Sequence, residues 1–261
     1  MLQTKQLSFR QPTSFTLQVE DLHIKKGEIV SLIGPNGSGK STLLRLISRL
    51  IKPQQGNVVL DGHDIYSLKS VDVAKKLAML PQMQDHQMDV TVRELIEFGR
   101  SPHRKGRGMS QEDHDIVAWA MSVTKLEHYA NRLLPSLSGG ERQRAWIAMA
   151  VAQRPDILLL DEPTTFLDIA HQLEVMELVH ELNETLGMTI VMVLHDINQA
   201  AQYSDRLVVL KNGTIQYDGI PQCVLCREMF QSIFEIDAEI YQQNGRAFFT
   251  PQRLNKEAYP L

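Results

Sequence analysis

Cysteine is scarce: the 261 residues hold two, Cys223 and Cys226. That excludes a disulfide scaffold. Their C-x-x-C spacing suits redox chemistry or half a zinc site. No second Cys or His pair lies close by, and no thioredoxin-like strand precedes them, so we read two reduced thiols on a peripheral helix. Long apolar runs are also missing. No stretch reaches the 18 residues that suggest a membrane-spanning helix. The first residues, Met1, Leu2, Gln3, Thr4 and Lys5, lack an apolar secretory segment, so a soluble, cytosolic chain is expected. Positive charge is in deficit, with a net charge of −4. A nucleic-acid partner is therefore not expected. Neither an internal repeat nor a low-complexity segment occurs. The length allows one large domain or two small lobes around a proper core.

Against these absences stands one run of small and charged residues. Gly34, Pro35, Asn36, Gly37, Ser38, Gly39, Lys40, Ser41 and Thr42 match the phosphate-binding pattern G-x-x-x-x-G-K-[ST]. Glycines let backbone N–H groups turn inward around a polyphosphate. Lys40 supplies a point charge for the outer phosphates, and Ser41 offers a hydroxyl to Mg²⁺. The flanks agree. Ile29, Val30, Ser31, Leu32 and Ile33 read as a buried strand, and Leu43, Leu44, Leu46, Ile47, Leu50 and Ile51 fall at helical spacing. The loop then sits between strand and helix, with the helix N-terminus facing the anion.

Further apolar runs read as strands at residues 58–60, 77–80, 157–160, 190–194 and 207–210. The last runs into an Asn212-Gly213 hairpin turn. From Thr91 to about Ala150 the pattern is helical, opened by a Thr91–Glu94 capping box, and this segment reads as a separate lobe. A helix through Ile169, Leu173, Met176, Val179 and Leu186 ends at Gly187. Strands alternating with helices imply an α/β fold with a mostly parallel sheet covered on both faces. Gln82, the Asp161-Glu162 pair and His195 each follow a strand, as the phosphate loop does, and ligands in such sheets bind along that edge. Asp161 is placed to hold Mg²⁺ through water. Glu162 is the candidate base that orients an attacking water, with Pro163 expected to keep its backbone extended. Ser138 to Glu141 is another capping box, and Gly139 and Gly140 add backbone N–H groups that a bulky anion could approach. The chain's own phosphate loop would already hold that anion, which points to a second subunit.

Taken together, these residues resemble the ATP-binding cassette (ABC) ATPases over nearly the whole chain. Residues 34–42 are similar to the family's Walker A loop and 157–162 to its Walker B strand. Residues 137–141 are similar to its signature motif, Gln82 to its Q-loop, 166–168 to its D-loop and His195 to its H-loop. The resemblance implies a P-loop NTPase core at residues 1–84 and 156–225, with an antiparallel β subdomain. It adds an inserted helical lobe at 85–155 and a short extension at 226–261. It also implies a two-fold, head-to-tail homodimer, each ATP lying between Walker A of one copy and the signature helix of the other. In that arrangement Glu162 and His195 are catalytic, and Ser41, Gln82 and Asp161 serve Mg²⁺. Ser138, Gly139 and Gly140 face the partner's nucleotide, while Asp168 couples the two sites. Phe9, or alternatively Phe15, would stack on adenine.

Within the family, residues 161–172 and 194–200 look most like the ATPase subunits of bacterial ferric-siderophore importers, whose close kin serve haem and cobalamin. Such a subunit sits on the cytoplasmic face of the membrane. It works with integral permease subunits and, indirectly, with an extracytoplasmic substrate-binding protein. Residues 83–88, rich in methionine, are the expected permease contact. The basic run Arg100, His103, Arg104, Lys105 and Arg107 could face permease or lipid, with a solvated loop the favoured reading.

Overall fold

The computed structural model describes residues 2–10, 15–82, 88–104, 106 and 108–255. Contacts divide the chain into two units, Met1–Tyr66 with Val191–Leu261, and Ser67–Ile190. In chain order the first unit begins with strands β1 (Leu2–Arg10), β2 (Thr16–Ile24) and β3 (Ile29–Ile33), then helix α1 (Lys40–Ile47) and strands β4 (Gln55–Leu60) and β5 (His63–Asp64). The second unit holds α2 (Ser70–Lys76), β6 (Leu77–Leu80), α3 (Val92–Phe98), α4 (Gln111–Val123), α5 (Gly139–Ala152), β7 (Ile157–Asp161) and α6 (Ile169–Leu186). The chain runs back to the first unit along β8 (Thr189–Val193). It then forms α7 (Ile197–Tyr203), β9 (Arg206–Lys211), β10 (Thr214–Gly219), α8 (Pro221–Val224), α9 (Arg227–Met229), β11 (Ile236–Gln243) and β12 (Arg246–Leu254).

In the first unit, β1 pairs antiparallel with β2 from Leu2↔Ile24 to Arg10↔Thr16, and also with β4. Alongside this antiparallel ribbon, β3 pairs parallel with β9, and β9 turns back antiparallel into β10. Asn212 and Gly213 make that turn with φ of 50° and 80°, the positive pair that a two-residue hairpin needs. All five residues of β3 are buried, as expected of a strand covered on both faces. The hairpin of β11 and β12 closes this unit.

In the second unit β6 and β7 pair parallel, Leu80 opposite Leu160. Helices α3, α4 and α5 pack on one another. Thr91 and Ser110 begin α3 and α4 with reciprocal capping boxes, as Ser138 does for α5. Asp168 caps α6, which Gly187 ends in the left-handed conformation at φ 63°. Of the basic run, Arg100 is not solvated, and His103 and Arg104 are half-buried. Arg100 is 3% exposed, with Nε donating to Asp113 Oδ1 (2.9 Å) and Nη1 to Ala152 O (2.7 Å). His103 Nε2 lies 2.8 Å from Gln153 O, and Arg104 donates to Glu97 O at 3.0 Å. These side chains turn toward the ends of α3 and α5, whose last carbonyls need donors. Lys105, Arg107 and residues 83–87 lie outside the described residues. Cys223 and Cys226 are free thiols on two successive short helical turns, one in α8 and one capping α9.

Candidate functional site

The phosphate loop belongs to the first unit. Gly34, Gly37 and Gly39 take φ of 144°, 76° and 103°. Space is as restrictive as torsion. A Cβ on Gly34 would lie 2.1 Å from Leu210 O, and one on Gly39 would lie 2.7 Å from Leu17 Cδ1 and 2.8 Å from Phe15 Cζ. Gly213 N donates to Ser38 O at 3.0 Å, tying the loop to the β9–β10 turn. Lys40 Nζ donates to Gly34 O (2.8 Å) and Pro35 O (3.0 Å), which holds its charge over the loop. Helix α1 starts at Gly39 with no side-chain cap and no acidic residue in its first turn. Its positive end is thus open to an anion. Ser41 and Thr42 stand half-buried on that turn, while Pro35, Asn36 and Gly37 form the loop's more accessible rim and Ser38 is buried. Phe9 sits in the β1–β2 ladder opposite Leu17, whereas the ring against Gly39 is that of Phe15.

His195 enters the same unit from β8. Leu194 N donates to Leu32 O at 3.3 Å, so the chain beyond β8 emerges beside β3, the strand that feeds the phosphate loop. His195 is exposed there, and Asp196 caps α7 through a 2.9 Å bond from Gln199 N.

The second unit carries the acidic groups. Asp161 ends β7 at 2% exposure. The Leu80↔Leu160 register sets Gln82 level with Glu162, each two residues further on. Their side chains meet: Gln82 Nε2 donates to Glu162 Oε2 at 2.7 Å, and Thr165 Oγ donates to the same oxygen at 3.0 Å. Two donors on one oxygen fix the carboxylate's direction. The backbone of Glu162 is not extended. Its φ is 55°, because the chain leaves β7 through a tight turn in which Thr165 N donates to Glu162 O at 3.3 Å. Proline at the next position disfavours the right-handed helical region, and the turn selects the left-handed one.

Ser138 Oγ accepts from Glu141 N (3.3 Å), and Glu141 Oε2 accepts from Ser138 N (2.8 Å). That N–H foremost holds the Glu141 carboxyl below its ordinary range. Ser138 and Gly139 are exposed, but Gly140 is buried. Asp168 Oδ1 accepts from His171 N (2.9 Å) and His171 Nδ1 (2.8 Å), and the backbone donor foremost depresses its pKa. Phe166 and Ile169 flank it at 90% and 78% exposure. Sequence reasoning missed Thr165 and His171. Their positions, three residues past Glu162 and three past Asp168, were the available signal.

The donor chemistry fits a magnesium ion. Ser41, Asp161 and Gln82 offer a hydroxyl, a carboxylate and an amide oxygen, all hard ligands. Among the described residues no three His, Cys, Asp or Glu gather into a cage.

A family model described as ABC transporter matches residues 17–165, more than half of the chain. The petrobactin import ATP-binding protein FpuC of Bacillus anthracis is 65% identical over 98% of this chain and 95% of its own length. The iron(3+)-hydroxamate import ATP-binding protein FhuC of Bacillus subtilis is 48% identical over 85% of this chain and 84% of its own. Among solved structures, the cassette of a metal-chelate type ABC transporter in an inward-facing conformation matches with a TM-score of 0.83. It is 28% identical and covers 98% of both chains. The dimeric ATP-binding cassette MJ0796, bound to ADP and phosphate, matches at 0.71 and 32% identity over 84% of this chain and 98% of its own. With its phosphate loop, its acidic strand end and these relatives, the chain belongs to the ATP-binding cassette ATPases of the ABC transporter family.

Proposed function

We propose that this chain is the ATP-hydrolysing subunit of a bacterial ferric-siderophore importer, acting as a homodimer on the cytoplasmic face of a permease. The loop amides and Lys40 take the ATP phosphates. Mg²⁺, when bound, screens phosphate charge, with Ser41, Gln82 and Asp161 as its protein-side ligands. Glu162 orients the attacking water and accepts its proton, and His195 takes the γ-phosphate side. The partner copy completes each site with Ser138 and Gly139 at the positive end of α5. Loss of the bridging γ-phosphate releases the two copies, and the helical lobe at 85–155 passes that motion to the permease. Phe15, whose ring lies against Gly39, replaces Phe9 as our candidate for stacking on adenine. Among the described residues no helix is long and apolar enough to cross a membrane, which suits a peripheral subunit.

The carrying observation is the Glu162 carboxylate, aimed by Gln82 and Thr165 at the end of a buried strand. The cargo rests on two relatives named for petrobactin import and iron(3+)-hydroxamate import. Glu162→Gln keeps the shape and removes the base. We expect turnover to fall about 10²–10⁴-fold, with ATP affinity intact and uptake of radioactive iron–siderophore by cells abolished. Near-normal turnover in the variant rejects Glu162 as base. Normal iron uptake with lost haem or cobalamin uptake would reassign the cargo.

A further inference from the structure

Gly140 and His171 meet closer than any side chain at position 140 would permit. A Cβ on Gly140 would lie 2.1 Å from His171 Cδ2, 2.6 Å from Cγ and 2.9 Å from Cβ. The imidazole thus fills the volume that a residue with a side chain would claim. This gives Gly140 a reason distinct from anion approach: it is a seat for the ring, and Gly139 is the glycine left exposed. The same ring reaches Asp168, with Nδ1 2.8 Å from Oδ1. An ionised carboxylate only accepts, so His171 Nδ1 carries the proton in this bond. Two further ties run beside it. Leu167 Cδ2 lies 3.4 Å from where a Gly139 Cβ would be, and Gln172 Nε2 donates to Leu167 O at 3.0 Å. The first turns of α5 and α6 therefore form one packed corner, with His171 at its centre.

We propose that His171 is a positioning residue for nucleotide-driven dimerisation. It locks Asp168 to the Gly139–Gly140 turn, so the two segments a chain presents to its partner keep one fixed spacing. This rests on the sandwich reading above. Ser138 and Gly139 must meet a phosphate while Asp168 meets the partner's protein surface. A relative shift of even an ångström between them would spoil one contact when the other forms.

The test uses the full-length chain carrying Glu162→Gln, which traps ATP. Dimer fraction is followed by size exclusion with light scattering as ATP is raised, with circular dichroism as a fold control. His171→Ala is expected to raise the ATP concentration for half-dimerisation about tenfold or more. His171→Asn should stay within about threefold of the parent, because its amide nitrogen replaces Nδ1 as donor to Asp168. An unchanged midpoint in His171→Ala, or no recovery in His171→Asn, overturns the proposal. A second measurement reads the seat itself. Gly140→Ala should lower Tm in the parent and lower it clearly less beside His171→Ala, where the ring is gone and only the 2.9 Å approach to the Cβ of residue 171 remains. Equal Tm losses in both backgrounds would show that ring and glycine are not one unit. A parent that never dimerises with ATP would refute the sandwich instead, while the Tm coupling still decides whether Gly140 is the seat of His171.

Discussion

Glu162 shows how much chemistry a single torsion can set. At φ 55° the residue stands in a region that side chains with a Cβ rarely adopt, and such strain costs on the order of 1–3 kcal/mol. The turn sustains it because three bonds converge on this residue: Thr165 N to its carbonyl, and Thr165 Oγ and Gln82 Nε2 to its carboxylate. If these donors aim the base, removing one should cost rate without costing nucleotide affinity. Thr165→Val keeps the shape and loses the hydroxyl. We expect kcat to fall about tenfold with KM for ATP unchanged, and Thr165→Ser to recover most of the rate. A rise in KM at constant kcat would show that Thr165 serves binding instead. The residue types at 161 and 162 were readable in the sequence, and so was their place after a buried strand. The left-handed backbone was not, because the pull toward extended structure from Pro163 is local and the turn that overrides it closes through Thr165 and Gln82. Gly140 was misleading in a related way: glycine signals close approach but does not say by what, and the approaching atom belongs to a side chain 31 residues away.

At the level of elements, the helical lobe depends on a buried ion pair. Asp113 accepts from Ser110 and from Arg100, and these bonds, the Ser110 hydroxyl foremost, hold its pKa down to about 2. A depressed carboxyl contributes stability above its unfolded pKa near 4 and loses it as the pH falls toward 2. Asp113→Asn would leave Arg100 charged and buried without its counterion, a loss of about 3 kcal/mol. Its melting temperature should therefore drop at pH 7 and vary less between pH 4 and pH 2 than that of the parent. Parallel pH curves for the two proteins would assign the pair no such role. This pair also explains why Arg100 departs from the solvated-loop reading. Charge density marks a solvated loop only when no carbonyl or carboxylate waits inside, and Asp113 and Ala152 are 13 and 52 residues distant. The strands β3, β7 and β8 were legible because burial along their whole length leaves each a single polar residue, Ser31, Asp161 and Thr189, in an otherwise apolar run. β1 was not, since its register shifts between Lys5 and Ser8 with Gln6 at φ 46°, breaking the two-residue alternation. The β11–β12 hairpin was legible and overlooked: Asn244 and Gly245 form the same positive-φ pair as Asn212 and Gly213.

For the whole molecule, the decisive property is what the chain leaves exposed. Ser138, Gly139 and Asp168 are accessible, and Phe166 and Ile169 leave large apolar side chains in solvent at 90% and 78% exposure. Scattered exposed apolar residues are ordinary, but one on each side of Asp168, the residue proposed to meet the partner, is the pattern that such an interface would need. If a site is completed only by a second copy, turnover per chain must follow the dimer population rather than the chain concentration. At saturating ATP and without permease, specific activity should rise nearly in proportion to protein concentration and then level off once the dimer predominates. Adding Glu162→Gln chains to a fixed amount of parent below that plateau should recruit parent copies into mixed dimers. Parent activity would then rise, provided that one intact base suffices in a dimer, and fall if both bases must act together. A specific activity that stays flat across about two decades of concentration, and is indifferent to the added variant, would mean that one chain hydrolyses ATP unaided. The packed corner around His171 would then need another purpose.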